Sequence, residues 1–318
     1  GPMIRAESLH KSYRGVPALQ GVSFSIQAGE VVGFLGPNGA GKSTTLRLLC
    51  GLLAPDSGLL EVAGQRLPEG ARAARAALGY LPESTPLYRG MRLDRFLRFC
   101  GELKGLSGAA LSRAIERVAG QCGLEQRLTQ RIEELSKGFR QRAGLAQALI
   151  ADPAVLLLDE PTSGLDPLEV ARLRALILEL GRTKTVLLST HVLGEVEELC
   201  GRVLMLSGGR LLADGPLARL THSERWIVAL EPLSPPARER DTGEWLGALP
   251  GGGPVERLGA SPGPARFALR LKDRAIFQQA LEAALQRSEY RLEEFAPERR
   301  SLDSVFREQV ARAREGAA

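Results

Sequence analysis

The residues Gly36-Pro37-Asn38-Gly39-Ala40-Gly41-Lys42-Ser43 have the spacing G-x-x-x-x-G-K-[ST]. Glycines at that spacing let successive backbone N–H groups converge on phosphate oxygens, and a helix opening just after them adds positive potential. Lys42 is suited to neutralise β- and γ-phosphates, and the Ser43 hydroxyl to take a place on Mg²⁺. A second constellation is Ala154–Glu160, an apolar run ending in two carboxylates. At the C-terminal end of a buried parallel strand, Asp159 could hold Mg²⁺ through water and Glu160 could orient and deprotonate an attacking water. Alone, the same pair also reads as a buried ion pair at a strand end. A third is Leu135-Ser136-Lys137-Gly138-Phe139 ahead of an alanine- and leucine-rich stretch. A serine N-cap beside a glycine can grip an anionic phosphate, though by itself it is only a cap.

These residues need elements to hold them. Ile4–Leu9, Val22–Ile26 and Val31–Leu35 read as strands, and the glycine loop runs from the last of them into a helix, Ser43–Cys50. Strand, glycine loop, helix is the start of a nucleotide-binding α/β sheet. From about Ser84 to Leu149 the pattern changes: Leu93, Phe96, Leu97, Cys100 and Leu103, then Leu111, Ile115 and Val118, fall at helical spacing. That stretch is expected to be a helical insertion. The sheet resumes at Val155–Leu158, followed by a helix Leu168–Leu180, a strand Thr185–Leu188, a helix Leu193–Leu199 and a hairpin at Gly208-Gly209. The first domain is expected to span residues 1–221.

After His222 the composition shifts, with Pro- and Gly-rich stretches at Leu233–Pro236 and Pro250–Pro264. Strands are expected at Trp226–Leu230, Phe267–Leu271 and Tyr290–Phe295, with helices Arg274–Arg287 and Leu302–Arg314, the latter capped by Ser301. Residues 222–318 thus form a small C-terminal α+β domain with no chemistry of its own.

Composition excludes several classes. Hydrophobic residues are 44% and charged residues 25% of 318, the balance of an ordinary globular chain. No apolar run approaches the roughly 18 residues that a membrane-spanning helix needs. Gly1-Pro2 ahead of Met3 is expected to be a cleavage remnant, and no secretory leader follows it. The four cysteines lack CxxC or metal-ligand spacing, so neither a disulfide framework nor a zinc site is expected, and the chain reads as cytosolic. The formal charge of +5 lies entirely before His222. It would suit anionic lipid or nucleic acid, or simply be ordinary surface charge.

The three constellations, in this order and spacing, resemble the ATP-binding cassette (ABC) family from Ile4 to Leu220. The resemblance implies an α/β P-loop NTPase fold with a helical subdomain at about residues 84–149. It implies ATP bound by Gly36, Pro37, Asn38, Gly39, Ala40, Gly41, Lys42, Ser43 and Thr44, with Tyr13 stacked on adenine. Mg²⁺ would be held by Ser43, Asp159 and Glu83, and Glu160 and His191 would be the catalytic residues. Two copies would pair head to tail around two ATP molecules, each offering Ser136, Lys137, Gly138 and Asp166 in trans. Ser163-Gly164-Leu165-Asp166 is similar to the loop that joins the two half-sites.

Two departures stand out. The family's LSGGQ is Leu-Ser-Lys-Gly-Phe here, placing an additional ammonium near the partner's γ-phosphate, and the usual glutamine is Glu83. Both changes, the segment Tyr80–Tyr88 and the closing Ser301–Phe306 resemble the type-2 exporter branch and its gliding-motility-associated subgroup. That resemblance implies an ATPase at the cytoplasmic face of the membrane, driving a separate transmembrane permease that docks near Glu83, Pro86, Leu87 and Tyr88, unless Leu87 and Tyr88 pack internally. No specific nucleic-acid partner is expected. The alternative is a soluble cassette acting on ribosomes or DNA, against which stand the single cassette and the absence of sustained heptads. A third reading, an ATP-binding regulator without turnover, conflicts with the presence of Glu160 and His191.

Overall fold

A computed structural model describes residues 1–84, 87–233, 239–259 and 264–315. Pro86 of the expected docking groove, and residues 234–236 and 260–263 of the two Pro/Gly-rich stretches, lie outside the described residues. The backbone divides into two compact units, Gly1–Leu217 with Phe306–Ala318, and Ala218–Val305. The division falls close to His222 but assigns the end of the chain to the first unit.

In chain order the first part runs β1 (Ile4–Tyr13), β2 (Val16–Ile26), β3 (Val31–Leu35), α1 (Lys42–Leu49), β4 (Ser57–Val62), β5 (Gln65–Leu67), α2 (Ala71–Ala77) and β6 (Leu78–Leu81). Then come α3 (Leu93–Leu103), α4 (Gly108–Cys122), α5 (Lys137–Leu149), β7 (Val155–Asp159), α6 (Pro167–Gly181), β8 (Thr185–Thr190) and α7 (Leu193–Leu199). The hairpin β9 (Arg202–Ser207) and β10 (Arg210–Pro216) follows, then α8 (Leu217–Leu220).

A six-stranded sheet in the order β10-β9-β3-β8-β7-β6 is the frame of the site. Five of its strands are parallel, and only β10 runs against its neighbour. Parallel strands covered on both faces require continuous apolar runs, which is what Val155-Leu156-Leu157-Leu158 and Val186-Leu187-Leu188 supply. Every residue of β7 and β8 is buried. The strand register sets Asp159 beside Ser189 and Leu35 beside Thr190, so the turns after β3, β7 and β8 emerge at one edge. A separate antiparallel sheet, β2-β1-β4-β5, carries Tyr13 at its hairpin end.

The helical stretch between β6 and β7 is built from α3, α4 and α5 with two short 3₁₀ turns, Glu125–Arg127 and Ile132–Glu134. Its buried face differs in detail from the sequence pattern. Leu93 and Leu97 are fully buried, but Leu103 is 72% exposed. The stripe continues instead through Gly101, where an added Cβ would stand 2.3 Å from Leu111 Cδ1. Helix α4 therefore packs against α3 at a glycine, two residues before the apolar periodicity ends at Leu103.

The second unit contains β11 (His222–Pro232), α9 (Glu239–Ala248), β12 (Val255–Leu258), β13 (Ala265–Arg270), α10 (Arg274–Leu285) and β14 (Tyr290–Arg299); α11 (Leu302–Glu315) follows. The sheet order β12-β13-β11-β14 with two helices is the split β-α-β arrangement of ferredoxin-like folds. Val228, Leu230, Leu246, Phe267, Leu269, Phe277 and Leu281 form its core. Asp273 caps α10 by accepting from Ile276 N–H at 3.0 Å, and Ser301 caps α11 by accepting from Ser304 N–H at 3.2 Å.

Leu157 is fully buried in the central core of the first unit, at the middle of a strand with neighbours on both sides. Leu157→Ala is expected to lower stability by about 2–5 kcal/mol. In urea denaturation the midpoint should fall while the slope of free energy against denaturant stays unchanged.

Candidate active site

The loop after β3 is shaped by what surrounds its glycines. At Gly36 an added Cβ would lie 2.4 Å from the Leu206 carbonyl oxygen and 3.0 Å from Ala40 Cβ, so only glycine passes that point without displacing backbone. Pro37, Asn38 and Gly39 are exposed, whereas Ala40 is buried and Thr44 half-buried in the first turn of α1. Lys42 turns back under the loop. Its Nζ donates to Gly36 O at 2.6 Å and Pro37 O at 3.2 Å, and the residue is only 5% exposed.

The carboxylates come from the neighbouring strand. Asp159 Oδ1 accepts from Ser43 Oγ at 3.2 Å and from the Ser189 hydroxyl. Glu160 is 7% exposed and has φ of 46°, a left-handed conformation that a non-glycine residue adopts at a cost. Its N–H is held by Ser189, through O at 3.1 Å and Oγ at 3.2 Å. Glu160 Oε2 lies 2.9 Å from His191 Nδ1. Because a carboxylate only accepts, Nδ1 carries the proton in that bond. Glu160 Oε1 stands 3.3 Å from Lys42 Nζ, is fully covered, and accepts no hydrogen bond among the described residues.

The expected residues thus divide into two groups. Lys42, Ser43, Asp159, Glu160 and His191 meet at the C-terminal edge of the parallel sheet. Glu83 follows β6, whose Leu81 pairs with Leu158 of β7, so it leaves the sheet at the same edge; it is exposed and lines a small pocket with Lys137, Arg140 and Gln141. Tyr13 is 42% exposed at the tip of β1. Ser136 and Asp166 are both helix caps here. Ser136 Oγ accepts from Phe139 N–H at 3.3 Å, and Asp166 Oδ1 accepts from Leu168 and Glu169 N–H at 3.1 and 3.0 Å. The Lys137 ammonium lies against Gly164 of its own chain, occupying the space a Cβ there would take.

Sequence reasoning missed Ser189, Thr190, Thr162 and Glu195. Ser189 bridges Asp159 and the Glu160 backbone only because β7 and β8 pair in that register. The polar end of the Thr185–Thr190 strand, Ser189-Thr190-His191, was the available signal. The cysteines take no part: burial pushes the Cys50, Cys122 and Cys200 thiols up to about 12, leaving them protonated at neutral pH.

A protein-family profile described as ABC transporter matches residues 19–163. The Nod factor export ATP-binding protein I of Paraburkholderia xenovorans (strain LB400) is 40% identical, over 75% of this chain and 79% of its own. Among solved structures, an ATP-binding subunit of an ABC transporter superposes with a TM-score of 0.63 at 33% identity, covering 69% of this chain and 91% of that one. A bacterial ABC transporter cassette solved as a dimer also gives 0.63, at 25% identity over 68% of this chain and 99% of its own.

Gly36→Ala tests the loop shape directly. The added methyl must displace the Leu206 carbonyl or the loop, at about 1–3 kcal/mol of overpacking. ATP affinity in equilibrium binding is expected to fall by about tenfold or more, since roughly 1.4 kcal/mol lost in binding is a tenfold change. Unchanged affinity would mean that the loop does not set the phosphate site.

Proposed function

The chain belongs to the ABC transporter family as an ATP-binding, ATP-hydrolysing subunit, and we propose that it powers export through a separate membrane permease. One observation carries the catalytic part: a covered carboxylate oxygen of Glu160, free of hydrogen bonds among the described residues, beside the buried Lys42 ammonium, with the other oxygen bonded to His191. That oxygen is an acceptor in want of a donor, and water attacking a γ-phosphate is a donor. Lys42 sits under the loop where β- and γ-phosphates would lie, the loop and first turn of α1 from Asn38 to Thr44 supply backbone N–H groups, and Tyr13 stacks on adenine. His191 holds Glu160 in place and reaches the γ-phosphate.

The Ser43 hydroxyl and Asp159 carboxylate, 3.2 Å apart, are the hard oxygen donors that suit Mg²⁺, with Glu83 joining from the adjacent strand end. Bound Mg²⁺ would supply neutralisation of the negative charge on the phosphates. Ser136, Lys137, Gly138 and Asp166 serve the ATP of a second copy, a pairing favoured by the likeness to the cassette solved as a dimer. For Lys137 this means leaving Gly164 as the dimer closes. ATP then acts as the adhesive between the copies, and loss of the γ-phosphate contacts opens them.

The permease docks in a groove of about 720 Å³ lined by Leu52, Leu78, Pro82, Leu87, Tyr88 and Phe96, among others. Tyr88 packs edge-on against Phe99 and still remains 55% exposed, so its internal contacts leave apolar surface uncovered. A relative named for export supports the direction of transport over a soluble cassette acting on ribosomes or DNA. The Tyr80–Tyr88 and Ser301–Phe306 segments support the type-2 exporter branch and its gliding-motility-like subgroup. The subunit would lie peripherally on the cytoplasmic face of the membrane, with residues 222–318 as an accessory domain.

Three substitutions separate the roles. Lys42→Ala is expected to abolish ATP binding in a filter or fluorescence assay. Glu160→Gln should retain binding, lower hydrolysis by about 10²–10⁴-fold, and accumulate as a dimer with Mg-ATP on size exclusion; turnover at the wild-type rate would sink the base assignment. Ser136→Ala should cut turnover while leaving the affinity of the monomer for ATP intact, and equal losses in both would exclude a site completed in trans.

A further inference from the structure

Behind the catalytic edge lies a buried carboxylate that the mechanism does not use. Glu195, in the first turn of α7, is 2% exposed. Its Oε2 accepts from Thr190 Oγ1 at 2.6 Å, and its Oε1 accepts from Thr162 Oγ1. Arg174 of α6 places Nη2 3.7 Å from Oε1, giving the buried charge a counter-ion. A carboxylate accepts only, so both hydroxyls are fixed as donors, and Thr190 Oγ1 is left to accept from Val192 N–H at 3.0 Å.

The two threonines flank the catalytic residues. Thr190 immediately precedes His191, and Thr162 follows Glu160 by two positions on the other loop. These are the loops whose side chains meet in the 2.9 Å contact between His191 and Glu160. We propose that Glu195 is a positioning residue: its two oxygens clamp the Glu160 loop to the His191 loop and so hold the Glu160 carboxylate against the attacking water. The assignment rests on reading Glu160 as the base. Without the clamp each loop keeps its strand pairing but loses the tie to the other, and the Glu160–His191 geometry loosens. A misplacement of about 1 Å at such a contact costs on the order of 100-fold in rate.

The test is hydrolysis of Mg-ATP by the purified full-length chain, with single-turnover rates for slow variants. Glu195→Ala is expected to lower kcat by about 10–100-fold while KM for ATP moves little, because Lys42 and its loop are not touched. Introduced into Glu160→Gln, the same change should cause little further loss, because a clamp that acts through Glu160 has nothing left to position. Glu195→Gln, which keeps one accepting oxygen, should recover part of kcat. If Glu195→Ala does not fold, Thr162→Val removes one arm of the clamp at nearly constant shape and is read by the same cycle. Equal fold-losses in the wild-type and Glu160→Gln backgrounds, or an unchanged kcat, would overturn the proposal. Wild-type turnover by Glu160→Gln alone would instead refute the base assignment, which keeps the two failures apart.

Discussion

Two opposite charges buried side by side govern this site. Lys42 and Glu160 are 5% and 7% exposed and 3.3 Å apart, in a place where either charge alone would be costly. The ammonium is satisfied by two carbonyls of its own loop, which forces that loop to curl around it. The carboxylate is satisfied on one oxygen only, by a histidine that is itself half-exposed. Its backbone is held at positive φ by Ser189 on the neighbouring strand. Such a residue is over-determined by its surroundings, which is how strain persists where chemistry needs a group aimed in a fixed direction.

The sheet supplies that over-determination. Parallel pairing of β3, β8 and β7 brings three strand ends to one edge, and the register chooses which residues face each other there. Lys42, Asp159 and Glu160 were legible in the sequence because each belongs to a short motif whose residue types are unusual together, whereas His191 was legible only through the family resemblance. Ser189, Thr162 and Glu195 were not legible. They are common residue types, and their roles exist only once two strands and two loops distant in sequence are set side by side.

The same distinction explains what was read of the fold. Strands β3, β7 and β8 announce themselves as apolar runs, and α6 reads as the helix Leu168–Leu180, one residue short of its start at Pro167 behind the Asp166 cap. The stretch from Ser57 to Leu81, with β4, β5, α2 and β6, gave no such signal. Its strands are short, and α2 (Ala-Arg-Ala-Ala-Arg-Ala-Ala) buries only Ala74, so no apolar period marks it. In the second unit, α9 and β12 were missed for a similar reason. Their segments are interrupted by glycine and charge, and the unit's strands also carry ion pairs between them: Arg225 with Glu298 and Glu256, and Arg266 with Glu294.

The departure at Phe139 has a structural account that motif comparison alone cannot provide. Two guanidinium groups approach its ring, Arg142 at 4.2 Å and Arg127 at 4.8 Å from the centroid. Arg142 also pairs at 3.3 Å with Glu169 of α6, and both side chains are nearly buried. The Glu169 carboxylate in turn fills the space beside Gly138, where any Cβ would collide with it. Phe139 therefore does not hang from the start of α5 as an unexplained aromatic. It covers a buried ion pair that ties α5 to α6, the helix opened by Asp166. An amide at this position would leave the two arginines without the ring face that accommodates them. The altered residues around Ser136 are thus part of one packed unit, in which Arg142, Glu169 and the Phe139 ring hold the start of α5 against the start of α6.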